Sequence, residues 1–288
     1  MKKALFNLAV ALCLVAASAA ATFCIVERRT ARPASDAGLI SPENVDLYYT
    51  RTNGHLLAGK PKAIVLEFPG LGGGSCLGGS LDIGRYEGEY AESLAAEDIL
   101  LVYMFSGPWS WMQKGSVRVS DLVVDALLEK YSLPGDTPIC VSGGSMGGHG
   151  AIMYAAESRH RKKICSIAAA CPCLDLTNCV FADPTFPRAF VLGVADQPRP
   201  LKAGLKKSSP AYRIDDLLKV PYFVACDGAD QFFDADEMEE FFKKLSARGA
   251  EVTFRKMEGL AHGAFTREVR DEFTEFVKKS VAAVPASN

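Results

Sequence analysis

A serine hydroxyl becomes a nucleophile at neutral pH only when a base stands within hydrogen-bond reach and a third group orients that base. One stretch of the 288-residue chain gives a serine a suitable seat: Val141-Ser142-Gly143-Gly144-Ser145-Met146-Gly147-Gly148. Gly143-x-Ser145-x-Gly147 has the spacing of a nucleophile elbow, where a strand turns sharply into a helix and leaves the serine at the tip. Only small neighbours let the chain pass so close to itself there. The spacing equally describes a glycine-rich link between strand and helix, so the partners decide.

Four histidines are available as bases. His55 lies in an N-terminal hairpin candidate, His149 one turn into the helix after the elbow, and His160 among Arg and Lys on a solvated face. His262 alone sits in a Gly-flanked loop, Gly259-Leu260-Ala261-His262-Gly263, after the last strand. A loop there can swing an imidazole over a sheet edge. The orienting carboxylate belongs in a loop between serine and histidine, and Asp227-Gly228-Ala229-Asp230 offers two. Asp230 is preferred, which leaves Asp227 a turn bond to its own loop backbone. The order Ser145…Asp230…His262 is that of α/β-hydrolases rather than of chymotrypsin or subtilisin.

These residues need elements to hold them. Apolar runs at 63–68, 99–104, 138–141, 163–170 and 220–226 read as strands buried on both faces, with a last strand at 251–256. Helical periodicity fills 86–97, 117–131, 235–248 and 267–281, with a short turn of helix at 216–219. Strands and helices therefore alternate from residue 63 onward, the pattern of an α/β sheet covered on both faces. Upstream, residues 45–51 alternate into Thr52-Asn53-Gly54, a hairpin signal at a sheet edge.

Pro69-Gly70-Leu71-Gly72-Gly73-Gly74 follows the first buried strand. It lacks the third glycine of a dinucleotide fingerprint and the Lys-Ser/Thr of a phosphate loop, so no cofactor is expected. Backbone N–H groups turned toward an oxyanion are its better use. Trp109 and Trp111 share a loop after the second buried strand, where ligands bind, and are candidate pocket walls; ordinary loop anchoring is the competing role. Residues 171–209, with five prolines and little periodicity, read as a lid-like insertion.

A net charge of −2 gives no reason to expect a nucleic-acid partner. Lys2 and Lys3 precede an apolar run over 4–26, and Ser18-Ala19-Ala20 and Ala19-Ala20-Ala21 both offer cleavage sites. Residues 1–26 are thus a signal peptide, or an anchor if uncleaved, and 27–44 a linker to a domain at 45–288. An exported protein, periplasmic or extracellular, is expected, membrane-bound only if the segment stays. Of nine cysteines, Cys140, Cys165 and Cys226 fall in strand-like runs as small hydrophobes. Cys171, Cys173 and Cys179 crowd one loop; Cys173 with Cys179 is the plausible disulfide, and a three-thiolate metal site lacks its fourth ligand, so no metal is expected.

The elbow, the Asp227–Asp230 turn and the Leu260-Ala261-His262-Gly263 loop together resemble the α/β-hydrolase superfamily, and within it the catalytic domain of prolyl-oligopeptidase-type peptidases and related acyl esterases. Pro69-Gly70 stands where the family commonly has His-Gly. The resemblance implies a mostly parallel sheet with a modest lid. It also implies Ser145 as nucleophile, His262 as base and Asp230 as its orienter, with Met146 and Leu71 N–H groups at the oxyanion. A small acyl ester is the expected substrate. A small serine peptidase acting on short peptides, and a catalytically silent binding protein on the same fold, are the alternatives.

Overall fold

Ala63–Phe68 is buried along its whole length, and its side chains alternate between two hydrophobic cores. Ile64, Leu66 and Phe68 enter one core, Ala63 and Val65 the other. A strand clad on both faces is apolar nearly throughout rather than alternating, and its buried Glu67 is satisfied by the Tyr86 hydroxyl, which donates to it at 2.7 Å. In the computed structural model, which describes residues 39–71, 84–105, 110–197 and 200–284, this strand lies inside an eight-stranded sheet. The strands are β1 (Tyr49–Thr52), β2 (Ala63–Phe68), β3 (Gly84–Arg85), β4 (Ile99–Met104), β5 (Ile139–Gly144), β6 (Ile164–Ala170), β7 (Tyr222–Asp227) and β8 (Val252–Met257). Their order is β3-β1-β4-β2-β5-β6-β7-β8, parallel from β4 to β8, with β1 antiparallel to β4.

The chain builds outward from β2 to β4 on one side, then crosses to β5 on the other. That reversal opens a crevice at the carboxyl ends of β2 and β5, where α/β sheets bind ligands. Helices cover both faces: α1 (Glu89–Ala95) and α8 (Arg267–Ala282) supply Tyr90, Leu94, Phe273 and Val277 to one core. On the other, α2 (Lys114–Lys130), α3 (Met146–Glu157) and α7 (Ala235–Ser246) supply Val123, Ile152 and Phe242. The Asp234 carboxylate caps α7 by accepting from the N–H groups of Asp236 and Glu237. Residues 216–219, expected as a turn of helix, form an irregular turn. Among the described residues no helix is long and apolar enough to cross a membrane; the 4–26 run lies outside them.

The hairpin expected at Thr52-Asn53-Gly54 is not formed. β1 pairs with β4 and β3, and residues 54–56 form a single 3-10 turn. Asn53 is a buried clamp instead. Its Nδ2 donates to the carbonyls of Ala91 and Ile99 at 3.1 Å each, and its Oδ1 accepts from Leu101 N–H at 2.7 Å. An Asn-Gly pair encodes a hairpin only when a partner strand follows, and here the following segment leaves the sheet.

Within residues 171–209, read from the sequence as a lid-like insertion, the described part carries three short helices: α4 (Leu176–Cys179), α5 (Phe186–Gly193) and α6 (Leu201–Lys207). His149, fully buried on α3, ties its root to the sheet. Its Nδ1 lies 2.9 Å from the Cys173 carbonyl and its Nε2 3.3 Å from the Trp111 carbonyl. Burial outweighs those two carbonyls and pulls the imidazole down to about 4, from an ordinary 6.5.

Two outcomes follow. Asn53→Ala removes three buried hydrogen bonds to the backbone and is expected to cost about 3 kcal/mol in urea unfolding. Because the folded state disfavours imidazolium at His149, its contribution is complete above pH 6.5 and is lost as pH falls toward about 4. Unfolding at pH 7 and pH 4 should therefore differ by about 3 kcal/mol more in the parent than in His149→Gln. Equal differences in the two proteins would contradict the assignment.

Candidate active site

Ser145 occupies the tip between β5 and α3 with φ 58° and ψ −121°, a left-handed backbone that side-chain-bearing residues rarely adopt. The surroundings enforce it. A Cβ on Gly147 would stand 2.0 Å from the Phe68 carbonyl oxygen and 2.9 Å from that of Pro69. One on Gly143 would meet the Gly147 carbonyl at 2.5 Å and Phe68 O at 2.7 Å. The helix therefore begins pressed against the chain leaving β2, which is what the two flanking glycines permit. Ser145 N–H donates to Ala170 O at 2.8 Å, pinning the tip to the end of β6. Its side is half-open to solvent.

The same close approach brings Met146 and Leu71 to one end of the sheet. Met146 N–H belongs to the first turn of α3, where a helix has no acceptor of its own to offer. Leu71, half-buried, ends the described part of the loop after β2. The glycines at 72–74 and Trp109 lie outside the described residues.

At the end of β7 the two candidate carboxylates divide their work. Asp230 Oδ1 accepts from the N–H groups of Phe232 and Phe233 at 2.8 and 3.1 Å, closing its own turn. Its Oδ2 lies 2.6 Å from His262 Nδ1. The imidazole is further fixed by Gln231 Oε1, which accepts from His262 N–H at 3.3 Å, and by the rings of Phe232 and Phe233. Those rings stand edge-on to it at 5.1 and 5.2 Å. The His262 side chain is 13% exposed and that of Asp230 only 2%, so the pair is screened little by water.

Asp227 does not make the turn bond to its own loop that the sequence suggests. Its Oδ2 reaches across to accept from Gly263 N–H at 2.7 Å and from the Cys171 thiol at 2.9 Å. Burial raises the Asp227 carboxyl above the usual carboxylate range, while the two donated hydrogen bonds work against that. Cys171, itself at φ 43°, thus serves a carboxylate rather than a disulfide. All six cysteines among the described residues are free thiols, and Cys173 and Cys179 are neighbours without being bonded.

Trp111 corrects an expectation. It is 1% exposed, with its ring against Phe190 at 4.3 Å and His149 at 5.3 Å, so it anchors the lid and walls no open pocket. The aromatic cluster beside His262 lies elsewhere, in residues to which sequence reasoning gave no role. Phe186 of α5 stacks on Phe190 and reaches Phe232 and Phe233 at 5.4 and 6.5 Å, joining the lid to the rings around His262. Phe232-Phe233, two residues after Asp230, was the available signal.

One group of metal-capable side chains gathers among the described residues, and it is not the cysteine trio. Cys171, Asp230 and His262 offer ligand atoms within 4.8 Å of one another. The donor set fits a metal poorly. Burial and the Asp227 carboxylate hold the Cys171 thiol strongly protonated, and His262 Nδ1 is engaged by Asp230.

Comparison with known proteins bears on the fold and the family. The structure is similar to a puromycin hydrolase (16% identity, TM-score 0.57, covering 78% of this chain and 34% of that one). It is also similar to an acylaminoacyl peptidase of Pyrococcus horikoshii (14%, TM-score 0.58, covering 80% and 39%). Esterase B from Lactobacillus rhamnosis matches at 15% identity and TM-score 0.56 over 94% of both chains. This chain thus spans about a third of the length of the puromycin hydrolase. Likeness at such identities establishes the fold, an α/β-hydrolase. No curated protein sequence matches. The model of the prolyl oligopeptidase family, however, matches residues 109–282, more than half of the chain, and the protein belongs to that family.

Proposed function

We propose that the protein is an exported serine hydrolase that cleaves carboxylic acyl esters through an acyl-enzyme. One observation carries the reading: the 2.6 Å contact between His262 Nδ1 and Asp230 Oδ2, at the same sheet edge as a left-handed Ser145. His262 accepts the Ser145 proton as the hydroxyl attacks the acyl carbonyl. Asp230 fixes the imidazole tautomer and stabilises the imidazolium. The N–H groups of Met146 and Leu71 receive the oxyanion, an arrangement in which one donor is commonly worth about 100-fold or more. His262 then returns the proton to the departing alcohol, and water attacks the acyl-enzyme by the same route.

Ester substrates are favoured by the phenylalanines beside the histidine: the rings of Phe232 and Phe233 stand edge-on to His262, and Phe186 of the lid packs on both, an apolar cluster suited to an acyl chain. Esterase B, similar over 94% of both chains, supports the same reading. Peptide hydrolysis is the second reading, and membership of a family of oligopeptidases is what favours it. Export rests on residues 1–26 alone, with cleavage after Ala20 or Ala21.

Intact mass after fluorophosphonate treatment tests the reading. The parent, produced with its full N-terminus in a secreting host, is expected to gain one adduct, and Ser145→Ala none. The same spectrum should show loss of 20 or 21 residues; retention of all 288 in a membrane fraction would mean an anchor. Short-chain nitrophenyl esters should then be turned over at least tenfold faster than proline amides. An unlabelled, folded parent would sink the hydrolase reading, and faster amide cleavage would favour the peptidase.

A further inference from the structure

Asp227 is fully buried at the carboxyl end of β7, and the mechanism above leaves it unused. Its neighbours show where its bonds go. Gly228 N–H donates to Met257 O at 2.8 Å and Ala229 N–H to Leu260 O at 3.0 Å, lacing the turn after β7 to the segment after β8. Those bonds stop short of the histidine. Just past His262, Gly263 N–H ties the loop back to the end of β7 by donating to Asp227 Oδ2 at 2.7 Å. Gly263 has φ 78°, so the chain turns back immediately after the imidazole, and its N–H points inward to the carboxylate.

The opposite side of the same oxygen is fixed as well. Cys171 Sγ donates to Asp227 Oδ2 at 2.9 Å, from a residue whose own N–H is bound to Ala225 O at 2.7 Å. Ser145 N–H is bound to Ala170 O, one residue earlier. A short chain of bonds therefore runs from the nucleophile's backbone through β6 to Asp227, and from Asp227 to the residue after the base. Asp230 holds the ring of His262, Gln231 accepts from its N–H, and Asp227 holds the backbone of the next residue, Gly263.

We infer that Asp227 is a positioning residue for the proposed hydrolysis: by accepting from Gly263 N–H while braced by Cys171, it sets His262 in register with both Asp230 and Ser145. It touches neither substrate nor reacting atoms. Its oxygen, rather than its charge, is what the loop needs, so an amide that keeps the acceptor should serve and a methyl should not. The inference rests on the hydrolase reading of Ser145, His262 and Asp230.

The test is the rate of fluorophosphonate labelling of Ser145 in full-length parent, Asp227→Asn and Asp227→Ala, with circular dichroism to establish folding. A misplaced base typically costs about 100-fold, and Asp227→Ala is expected to label 10- to 100-fold more slowly, with kcat on nitrophenyl acetate falling far more than KM rises. Asp227→Asn should stay within about threefold of the parent. Folded Asp227→Ala that labels at the parental rate would overturn the inference, because a purely structural role lowers stability and leaves the folded protein's rate alone. Asp227→Asn falling as far as Asp227→Ala would overturn it too, and that arm decides the matter should Asp227→Ala not fold. If the parent itself resists labelling, the hydrolase reading fails and this inference goes with it; a labelled parent with unimpaired variants overturns the inference alone.

Discussion

The contact on which the rest depends is the one between the start of α3 and the chain leaving β2. With Gly147 pressed on the Phe68 carbonyl, and Gly143 against both, α3 can begin directly over the sheet edge. That approach goes with a serine in left-handed backbone at the tip of β5, directly before the first turn of α3. The strain at Ser145 is held by a surround that is over-determined: the β5–β6 ladder below, the bond to Ala170 above, and helix burial beyond. Substituting bulk at either glycine displaces the tip before it disturbs any packed core.

Opposite that fixed point stands a loop that must be held by side chains, since the segment after β8 has no regular structure around His262. The division between Asp230 and Asp227 meets this need. One carboxylate addresses the ring and the other the backbone, and each satisfies a second set of donors, Phe232 and Phe233 N–H for one and Cys171 for the other. The aromatic pair then couples the His262 loop to Phe186 of α5, so the imidazole is flanked by ring edges on that side.

Much of this was legible in the sequence, for identifiable reasons. Strands buried on both faces announce themselves as apolar runs, and β2, β4, β6 and β7 fall within two residues of where those runs lie. The elbow was legible because its glycines are sterically compelled. Asp230 was preferred as the far residue of the Asp227–Asp230 turn, and its Oδ2 is the oxygen that stands 2.6 Å from His262 Nδ1. What stayed hidden was non-local. Asp227's partners lie 36 and 56 residues away, so a turn bond was the best local guess. Asn53 looked like a hairpin because nothing nearby reveals that β1 pairs with a strand some 50 residues on. Trp111's burial depends on α5 packing over it, with Gly193 giving room for the indole, and no local pattern shows that.

The central claim is geometric: Ser145, His262 and the first N–H groups of α3 converge on one reacting carbon. A crystal structure of the protein carrying a phosphonate ester reads this directly. The account predicts phosphorus on Ser145 Oγ, its oxygen within hydrogen-bond distance of Met146 N and Leu71 N, and His262 Nε2 facing the Ser145 oxygen with Nδ1 still on Asp230. Phosphorus on Ser145 with the imidazole turned away, or an oxygen facing solvent rather than those N–H groups, would contradict it.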